Sequence, residues 1–549
     1  MTAVLSDPVS PMDIYSSALS ERAERARRRR ESPFVRLWDG DWNFRGRLTG
    51  HVSAEFQWVL NDTGVATVVL PADHYLAKWA CAFYSRGTKN VHITMDKDGA
   101  RWGGRLTKVS SAKVGPGQYE VTLQFADFIE DLKHIRVWSN PVLPSILQFP
   151  RVFNLAGPSI WALKLALFLN LMRNQNSLFT LPDNPLDFGQ WTGNLNMENW
   201  PVSMRGQSFF SDSSPHCIVS SRFKNWHEMA TPVLNDAQLM VTYEVWLEGD
   251  PSPWPGYTPR NGQVIYDIVD KSGWWGTTGT GGNVFTGIAR TFQQMFDNGI
   301  DEQRALASDP NGNRITQGMG TPVGNPWVVF KDGPLSGIET SEWSWEPATD
   351  VQVVVGGRSA PGVNELIGVG IQAIGDIASA VFMGAAGNWG QIADTLLKPL
   401  YTDTVLAWMS FKSGMRATDL GWSHYFEYMP GNSDQAFTLS SLLMLRRGFW
   451  ETRERLSHTF SVGDGAPYLI GANGQGHFFL GDRVGGVLSG LEDGYMAVEQ
   501  VSELIHREDR DGMGWQITLG DVRAQEDGVD RMVRKVSEAV SAAQELGVF

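Results

Sequence analysis

The sequence predicts a multidomain, β-rich α+β fold, with β-rich segments near both ends and a mixed, partly helical and hydrophobic insertion between them. Three observations favour this class. Short runs of Val, Ile, Tyr and Phe recur near both ends, and Gly-rich turns separate them, as is typical of antiparallel strands. The 549 residues are enough for several domains. Because 42% of the residues are hydrophobic, the chain can build cores, and global disorder is excluded.

The first β-rich segment, residues 33–140, predicts a small antiparallel barrel or sandwich with one helix near Asp73–Ala82. Its hairpin signal is Lys97-Asp98-Gly99, because Asp-Gly favours the tight turn that joins two strands. Pro71 marks the end of one strand. The predicted strands are Phe34–Trp38, Val65–Leu70, Val91–Met95, Trp102–Val109 and Tyr119–Phe125.

The middle and C-terminal parts mix helices with strands. The run Trp161–Leu169 predicts a buried helix that is too short and too charged to span a bilayer. Helices are also predicted at Leu439–Arg455 and, from the spacing of apolar residues, at Val529–Leu546. Strands are predicted at Gln238–Leu247, Gln263–Val269, Pro326–Phe330 and Val351–Val355. Residues 457–522 again have the pattern of short strands separated by turns.

The charge and the cysteines exclude several classes of function. The formal net charge of -14 argues against stable nucleic-acid binding, but it suits a wall past which DNA slides without sticking. Cys81 and Cys217 form no C-x-x-C pair, so neither a zinc framework nor a disulfide scaffold is expected. Residues 1–20 lack the apolar stretch of a signal peptide, which predicts folding in a cytoplasm.

A basic arm precedes the first β-rich segment. Its arginines are Arg22, Arg25, Arg27, Arg28, Arg29 and Arg30. The simpler interpretation is a solvated, partly helical tail, and the alternative is a docking arm that binds an acidic neighbour in an assembly. Nothing else in the sequence supports a nucleic-acid-binding arm.

No catalytic constellation is recognisable in the sequence, and no cofactor or metal site is predicted. His227-Glu228 lacks the second histidine of the H-E-x-x-H zinc motif, and the Gly-rich loop at residues 273–282 lacks the Lys of a phosphate-binding loop. Asp509–Gly512 predicts a polar hairpin turn, because the spacing and the closing Glu of a calcium loop are missing. Paired carboxylates of a hydrolase remain an alternative, since their spacing in sequence is not diagnostic.

Residues 366–393 carry the strongest physical signal. They contain one charge, Asp376, and six glycines, and as a helix they would be about 42 Å long, enough to cross a bilayer core of about 30 Å. The glycines weaken an isolated helix, and Asp376 is costly in a membrane. Two interpretations remain: a segment buried among subunits, or a fusion-peptide-like element released onto a membrane. The candidate residues are Ile367, Ile371, Ile374, Ile377, Val381 and Phe382.

Three blocks of the sequence carry a resemblance to a known family. They are Asn61–Pro71 with the Asp96–Gly99 hairpin, Lys398–Trp408, and Gly465–Gly471 followed by Gly476–Val484. On these blocks the chain resembles the minor tail proteins that serve as tail-tip (baseplate) hub subunits in siphoviruses of mycobacteria and related actinobacteria. The resemblance implies two small β-barrel hub domains per subunit and a structural protein rather than an enzyme.

The resemblance also implies an assembly. Three subunits would form a ring of six barrels that joins a hexameric tail tube to a threefold tip and surrounds the path of DNA and the tape-measure protein. The implied partners are a homotrimer, the distal tail protein, the tape-measure protein and other minor tail proteins, with contact to the host envelope and transient passage of DNA. The implied location is the tail tip of the virion, after synthesis in the host cytoplasm.

Together these observations predict eight segments along the chain. They are a basic N-terminal arm (1–32), a first β-barrel hub domain (33–150), an irregular and helical connector (151–235), a β-rich domain contributing to a second barrel (236–360), the Gly-rich hydrophobic segment (361–400), a mixed helical part (401–460), a C-terminal β domain (461–525) and a C-terminal helix (526–549).

Two alternative functions stay open in the sequence. One is a tail-associated hydrolase of the cell wall. The other is a receptor-binding tip protein, in which aromatic residues of Gly-rich loops stack on sugars. Its candidates are Trp254, Trp274 and Trp275.

Overall fold

The computed structural model describes residues 10–143, 145–149, 152–272, 328–331, 338–356, 408–430, 439–462, 468–487, 496–510 and 512–520. Its α-helices are α1 (Pro11–Arg29), α2 (Tyr75–Cys81), α3 (Ile129–Lys133), α4 (Ser159–Gln175), α5 (Phe188–Gly193), α6 (Trp226–Asp236), α7 (Gly414–Leu420) and α8 (Leu439–Glu451), and short 3₁₀ turns lie at Ser145–Leu147 and Met197–Asn199.

The strands of the first half are β1 (Phe34–Asp39), β2 (Phe44–Arg47), β3 (Ser53–Val59), β4 (Val65–Pro71), β5 (Val91–Lys97), β6 (Ala100–Gly115), β7 (Gln118–Asp127), β8 (Phe153–Pro158), β9 (Val202–Met204), β10 (His216–Ser221), β11 (Leu239–Val245) and β12 (Val264–Asp270). Those of the second half are β13 (Val329–Phe330), β14 (Ile338–Glu346), β15 (Asp350–Gly356), β16 (Trp408–Lys412), β17 (Tyr425–Tyr428), β18 (Arg455–Val462), β19 (Arg483–Val487), β20 (Met496–Glu508) and β21 (Met513–Gly520).

The local signals of the first segment are confirmed. The predicted hairpin joins β5 to β6, with Lys97 opposite Ala100. Asp98 and Gly99 between them both have positive φ, 46° and 78°, as a type I′ turn requires. Pro71 ends β4, and the predicted helix near Asp73–Ala82 is α2.

One antiparallel arrangement of five strands occurs twice. The first unit, as we define it, has the order β3-β4-β7-β6-β5, and the second unit has the order β14-β18-β21-β20-β19. The long strand of each unit carries an irregularity at the same place, between Leu106 and Lys108 in β6 and between Val501 and Glu503 in β20. The two β-rich ends of the chain are therefore repeats in topology.

The two units form one continuous sheet. Strand β3 of the first unit pairs with β20 of the second over Ala54–Val59, and we call this pairing the seam. The sequence predicted two separate small barrels, but among the described strands neither unit closes into a barrel. The reason is that β3 and β20 each use an edge to pair across the seam, so the sheet extends to thirteen strands.

Two large hydrophobic cores support this sheet. The first combines side chains of both units, such as Phe56 and Phe460. The second lies beneath the connector, where α4 and α6 pack together and the Trp226 indole donates to the carbonyl of Leu163 at 3.1 Å. The predicted buried helix at Trp161–Leu169 is confirmed within α4. None of the helices in the described residues is long and apolar enough to cross a membrane.

The described strands also form three small sheets, β10-β8, β11-β12-β9 and β16-β15-β17. The last of these, which we call the small third sheet, packs on α8. The predicted helix Leu439–Arg455 is confirmed only as far as Glu451, because Arg455 already begins β18. The predicted loop at residues 273–282 and the predicted helix Val529–Leu546 lie outside the described residues.

Candidate functional site

Of the two candidate sites, the hydrophobic segment lies outside the described residues, and with it lie Ile367, Ile371, Ile374, Ile377, Val381 and Phe382. The described residues on either side of it show where the chain leaves the described part of the structure and where it returns. Gly356 at the end of β15 pairs with Trp408 at the start of β16. Residues 357–407 therefore begin and end at neighbouring positions of the small third sheet.

The basic arm contains helix α1, which lies on the surface. The Ser10 side chain accepts a hydrogen bond from the Met12 amide, and Pro11 occupies the first turn, so the helix has a favourable start. Arg27 pairs with Glu24 within the helix at 2.7 Å. Arginines fill the last turn, where positive charge is favourable for the helix dipole. No residue of α1 is buried, so the helix does not depend on a core.

The C-terminal end of the arm contacts its own chain. Arg28 Nη2 donates to Asp98 Oδ1 at 2.9 Å and to the carbonyl of Gln475 at 2.7 Å. Asp98 is nearly buried, with 7% of its side chain exposed, so this ion pair is only partly open to solvent. Arg29 donates to the carbonyl of Tyr468 at 3.1 Å. Arg28 and Arg29 thus bind the body of the protein.

Lys97 lies under the end of the same helix. Its ammonium group donates to the carbonyl of Glu31 at 2.6 Å and to that of Arg28 at 3.2 Å. Burial lowers the pKa of Lys97, while the neighbouring Asp98 carboxylate opposes this shift. The contact satisfies carbonyl groups that the end of a helix leaves without intrahelical partners.

The surface that the C-terminal end of the arm contacts is formed by residues of both units. Asp98 and Gly99 belong to the first unit, and the loop 468–477 belongs to the chain between β18 and β19 of the second. The Asn473 side chain donates to the carbonyl of Gly99 at 3.0 Å. A Cβ atom at Gly99 would lie 2.3 Å from the carbonyl oxygen of Ala472, so the close contact requires glycine.

The remaining arginines of the arm are placed differently. Arg25 and Arg27 pair with the helix acids Glu21 and Glu24, and Arg22 is exposed. The arm therefore has one end bound to its own chain and a longer part open to solvent. Its predicted contact with an acidic neighbour stays a prediction.

The seam has its own polar and aromatic contacts. Arg507 on β20 forms an ion pair with Glu55 on β3 at 2.7 Å. Trp58 packs against Phe479 and Trp515, and only 6% of it is exposed. His506 lies fully buried in the same pairing, and burial lowers its pKa to about 3. The seam is thus a packed interface between the units.

The sequence reasoning missed a set of buried arginines. The Arg446 guanidinium on α8 donates to Asp236 Oδ2 at 2.9 Å. Arg416 on α7 donates to the carbonyl of Asp350 at 2.9 Å, and Arg483 on β19 donates to Gln238 Oε1 at 2.6 Å. These contacts join segments far apart in the chain. No spacing rule could have found them.

Catalytic and ligand-binding chemistry has little support in the described ranges. They hold no group of three or more His, Cys, Asp or Glu residues placed to bind a metal. Burial raises the pKa of Cys217 to about 12, which leaves its thiol unreactive. Trp254, a candidate for sugar stacking, stacks on Tyr257 with ring centroids 4.1 Å apart. Trp274 and Trp275 lie outside the described residues.

Comparison with known proteins defines the class. The chain is 36% identical to the minor tail protein Gp28 of Mycobacterium phage L5, over 91% of this chain and 92% of that protein. It is 34% identical to the minor tail protein Gp28 of Mycobacterium phage D29, again over 91% and 92% of the two chains. The chain is therefore a siphovirus minor tail protein and is associated with the virion.

The chain belongs to the family of Siphovirus ReqiPepy6 Gp37-like proteins, which matches residues 34–521. The resemblance found in the sequence is thus confirmed. Similarity to solved structures is distant: a tail protein from Neisseria meningitidis MC58 has a TM-score of 0.41 at 10% identity, covering 90% of this chain and 98% of that one. A 43 kDa tail protein of prophage MuSo2 from Shewanella oneidensis has a TM-score of 0.39 at 9% identity, covering 89% and 98%.

Proposed function

We propose that the protein is a hub subunit of the tail tip, and that three copies form a ring around the path of DNA and the tape-measure protein. The observation that carries this proposal is the repeat of one five-strand unit within a single chain. Three copies would present six such units. The six units would match a six-fold tail tube above, and the three chains would match a threefold tip below. In this role the protein is structural and needs no catalytic residue.

Two further features support a ring on the DNA path. The formal net charge of -14 disfavours adhesion of DNA to the wall of a channel. The units already join edge to edge within one chain through the seam, so the fold offers a mode of lateral association. We infer contacts with the distal tail protein, the tape-measure protein and other minor tail proteins, all of which would meet such a ring.

The copy number in assembled tails tests this proposal. A cryo-EM reconstruction of purified virions should contain three copies of the chain around the tail axis, at the end distal to the capsid. The tail tube in the same map provides the internal reference for symmetry. A single compact copy per tail, or a position away from the tip, would exclude the hub.

We also propose that the hydrophobic segment 366–393 contacts the host membrane. What supports this is its sequence, with Asp376 as its sole charge, and its attachment at one point of a small sheet. A peptide of residues 363–393 is expected to bind and permeabilise liposomes, measured by flotation and dye release. A matched peptide with Ile371→Asp and Ile374→Asp should do neither, because charge opposes burial in lipid. Failure of the unmodified peptide to bind or permeabilise liposomes would support the buried-core interpretation instead.

A further inference from the structure

The N-terminal part of helix α1 is exposed along its whole length. Every residue from 11 to 24 is exposed, whereas Arg28 and Arg29 near the end of the helix contact the body of the chain. At 1.5 Å per residue, the exposed part is about 21 Å long. A helix of this length is marginal in water when nothing covers it. A surface that packs on this part would therefore stabilise it.

The exposed part of α1 carries an apolar stripe. Met12, Tyr15 and Leu19 are spaced by three and four residues, so they lie on one face of the helix. Their exposed fractions are 73%, 61% and 46%. We call these three residues the α1 stripe, and Arg22 continues the same face one turn further on. The acids of the exposed part lie towards the opposite side of the helix and are Asp13, Glu21 and Glu24.

The connector contains a second exposed apolar surface. The segment 177–196, which we call the connector loop, lies between α4 and β9 and includes α5. Five of its large apolar side chains are 46–88% exposed, namely Leu178, Leu181, Leu186, Phe188 and Leu195. Exposed apolar patches with polar surroundings are typical of sites that bind another molecule.

Hydrogen bonds within the connector loop hold it in one shape. The Trp191 indole donates to the carbonyl of Pro185 at 3.1 Å. The Asn184 amide donates to Gln190 Oε1 at 2.9 Å, and the Asp187 side chain caps the start of α5. The loop is therefore ordered before any partner binds, so docking on it costs little additional ordering.

The charge of the connector loop complements that of the α1 stripe. Residues 174–204 contain the acids Asp183, Asp187 and Glu198 and no Lys or Arg. Asp183 is exposed and lies between the apolar residues of the loop in sequence. The face of α1 that carries the stripe has Arg22 beside it. Opposite charges around an apolar contact favour the correct pairing of two surfaces.

A second copy of this chain is the partner that these surfaces favour. Both are exposed in a single chain, so neither covers the other within it. Two α1 stripes packed in parallel would bring their Arg22 side chains together, and like charges repel. An anionic membrane is also disfavoured, because residues 11–24 carry three acids and one base. The connector loop of another copy offers apolar side chains together with the opposite charge.

We propose that the α1 stripe of one copy docks on the connector loop of the next copy. The stripe packs against the exposed apolar side chains of the loop, and Arg22 lies near Asp183. Because the two surfaces differ, the contact is head-to-tail, and it closes into a ring when the rotation per copy fits. This inference rests on the proposed hub: three copies then have three equivalent arm contacts.

A matched pair of substitutions in α1 tests the role of the stripe. Leu19→Asp should weaken self-association of the full-length protein on the order of tenfold or more, because a charge replaces an apolar anchor. Ser17→Asp adds the same charge on the opposite face of the same helix and should leave association unchanged. Mass photometry or sedimentation measures both variants. Equal effects of the two substitutions would overturn the docking.

A charge exchange tests whether the connector loop is the partner. Arg22→Glu and Asp183→Arg should each weaken self-association severalfold. The two changes combined in one chain should restore association, because opposite charges then face each other again. A combined variant that associates no better than the single variants would contradict the assignment of this loop.

Cross-linking between two different chains identifies the contact directly. A chain with Leu19→Cys is mixed with a chain with Phe188→Cys, and a flexible bis-maleimide should give a covalent dimer that contains one of each. In the control mixture Trp422→Cys, at a position 94% exposed outside the connector loop, replaces Phe188→Cys and should give no such dimer. The unmodified chain, with Cys81 and Cys217, gives the background.

The outcomes separate this contact from the hub itself. A trimer in the virion with equal cross-linking in the two mixtures would overturn the docking and leave the hub standing. Leu19→Asp might instead abolish binding of the protein to anionic liposomes without changing self-association, and that result would overturn the docking in favour of a membrane contact. A monomer in the virion would overturn the hub.

Discussion

Replacing Arg446 by Met is expected to lower the free energy of unfolding by about 3–5 kcal/mol, because the change breaks a buried ion pair. Arg446 is 2% exposed, and it binds both the Asp236 carboxylate and the Asp236 carbonyl, at 2.9 and 3.0 Å. Asp236 is the last residue of α6, where a cation is also favourable for the helix dipole. Burial raises the pKa of Asp236, and the positive charge of Arg446 opposes that shift. Without Arg446 the carboxylate is left in an unfavourable site.

The same helix supplies the control for this prediction. Arg447 pairs with Glu451 one turn along α8, at 2.7 Å, and both side chains are about one third exposed. Arg447→Met should cost about 0.5 kcal/mol or less, as exposed pairs within a helix do. Urea unfolding followed by tryptophan fluorescence measures both variants. Similar losses for the two arginines would show that the buried pair does not hold α8 against α6.

The larger stability loss expected for Arg446→Met also affects the part of the chain that carries the hydrophobic segment. Helix α8 supports the small third sheet, from which residues 357–407 leave the described body. Arg446 ties this helix to α6 of the connector through Asp236. Its loss is therefore expected to loosen the attachment of the hydrophobic segment while the seam stays intact. Limited proteolysis of Arg446→Met should cut first near the third sheet, and Arg447→Met should show the cutting pattern of the unmodified protein.

Short-range features of this fold follow from the sequence, because the physical causes lie within a few residues. Asp98-Gly99 determines a hairpin by its backbone preferences alone. The apolar run in α4 determines a buried helix, and Pro71 ends a strand. The arginine-rich arm is helical because its start is capped and its last turn is basic. Each of these was predicted from residues that are neighbours in the chain.

The long-range features could not be predicted, because their partners are distant in sequence. Glu55 and Arg507 meet across the seam, and Arg28 meets Asp98 and Gln475, yet no periodicity connects them. The repeat of the five-strand unit was also hidden. Strands β3 and β4 are joined by a short turn, whereas residues 347–454 separate β14 from β18.

Acid is expected to destabilise the protein between pH 6.5 and about pH 3, through histidines buried in their neutral form. Burial is the main cause that lowers the pKa of His92 and of His506 to about 3, and that of His216 and of His458 to about 4. An unfolded chain binds these protons near pH 6.5, whereas the folded chain does not. Stability is therefore complete above pH 6.5, and it falls until the folded pKa values are reached. At pH 5 each such histidine costs about 2 kcal/mol.

His506 gives this prediction a specific test at the seam. Its ring lies 4.8 Å from that of Trp515, and neither ring nitrogen has a hydrogen-bond partner in the described residues. The positive charge of Lys97 lowers its pKa further, and Glu508 opposes this. His506→Leu removes two unsatisfied polar atoms, so it should be neutral or stabilising at pH 7. It should also reduce the loss of stability between pH 7 and pH 5 by about 2 kcal/mol.

Comparing His506→Leu with the unmodified chain isolates the effect of His506, because all other groups titrate in both proteins. Buried carboxyl groups with raised pKa, such as Asp127 and Asp212, change stability in the opposite direction, but they do so equally with and without His506. Urea unfolding at pH 7 and pH 5 measures both proteins. If His506→Leu lost as much stability on acidification as the unmodified chain, the seam would not be the acid-sensitive element. If it lost less, the same protonation would be expected to open the contact between β3 and β20 on which the continuity of the sheet depends.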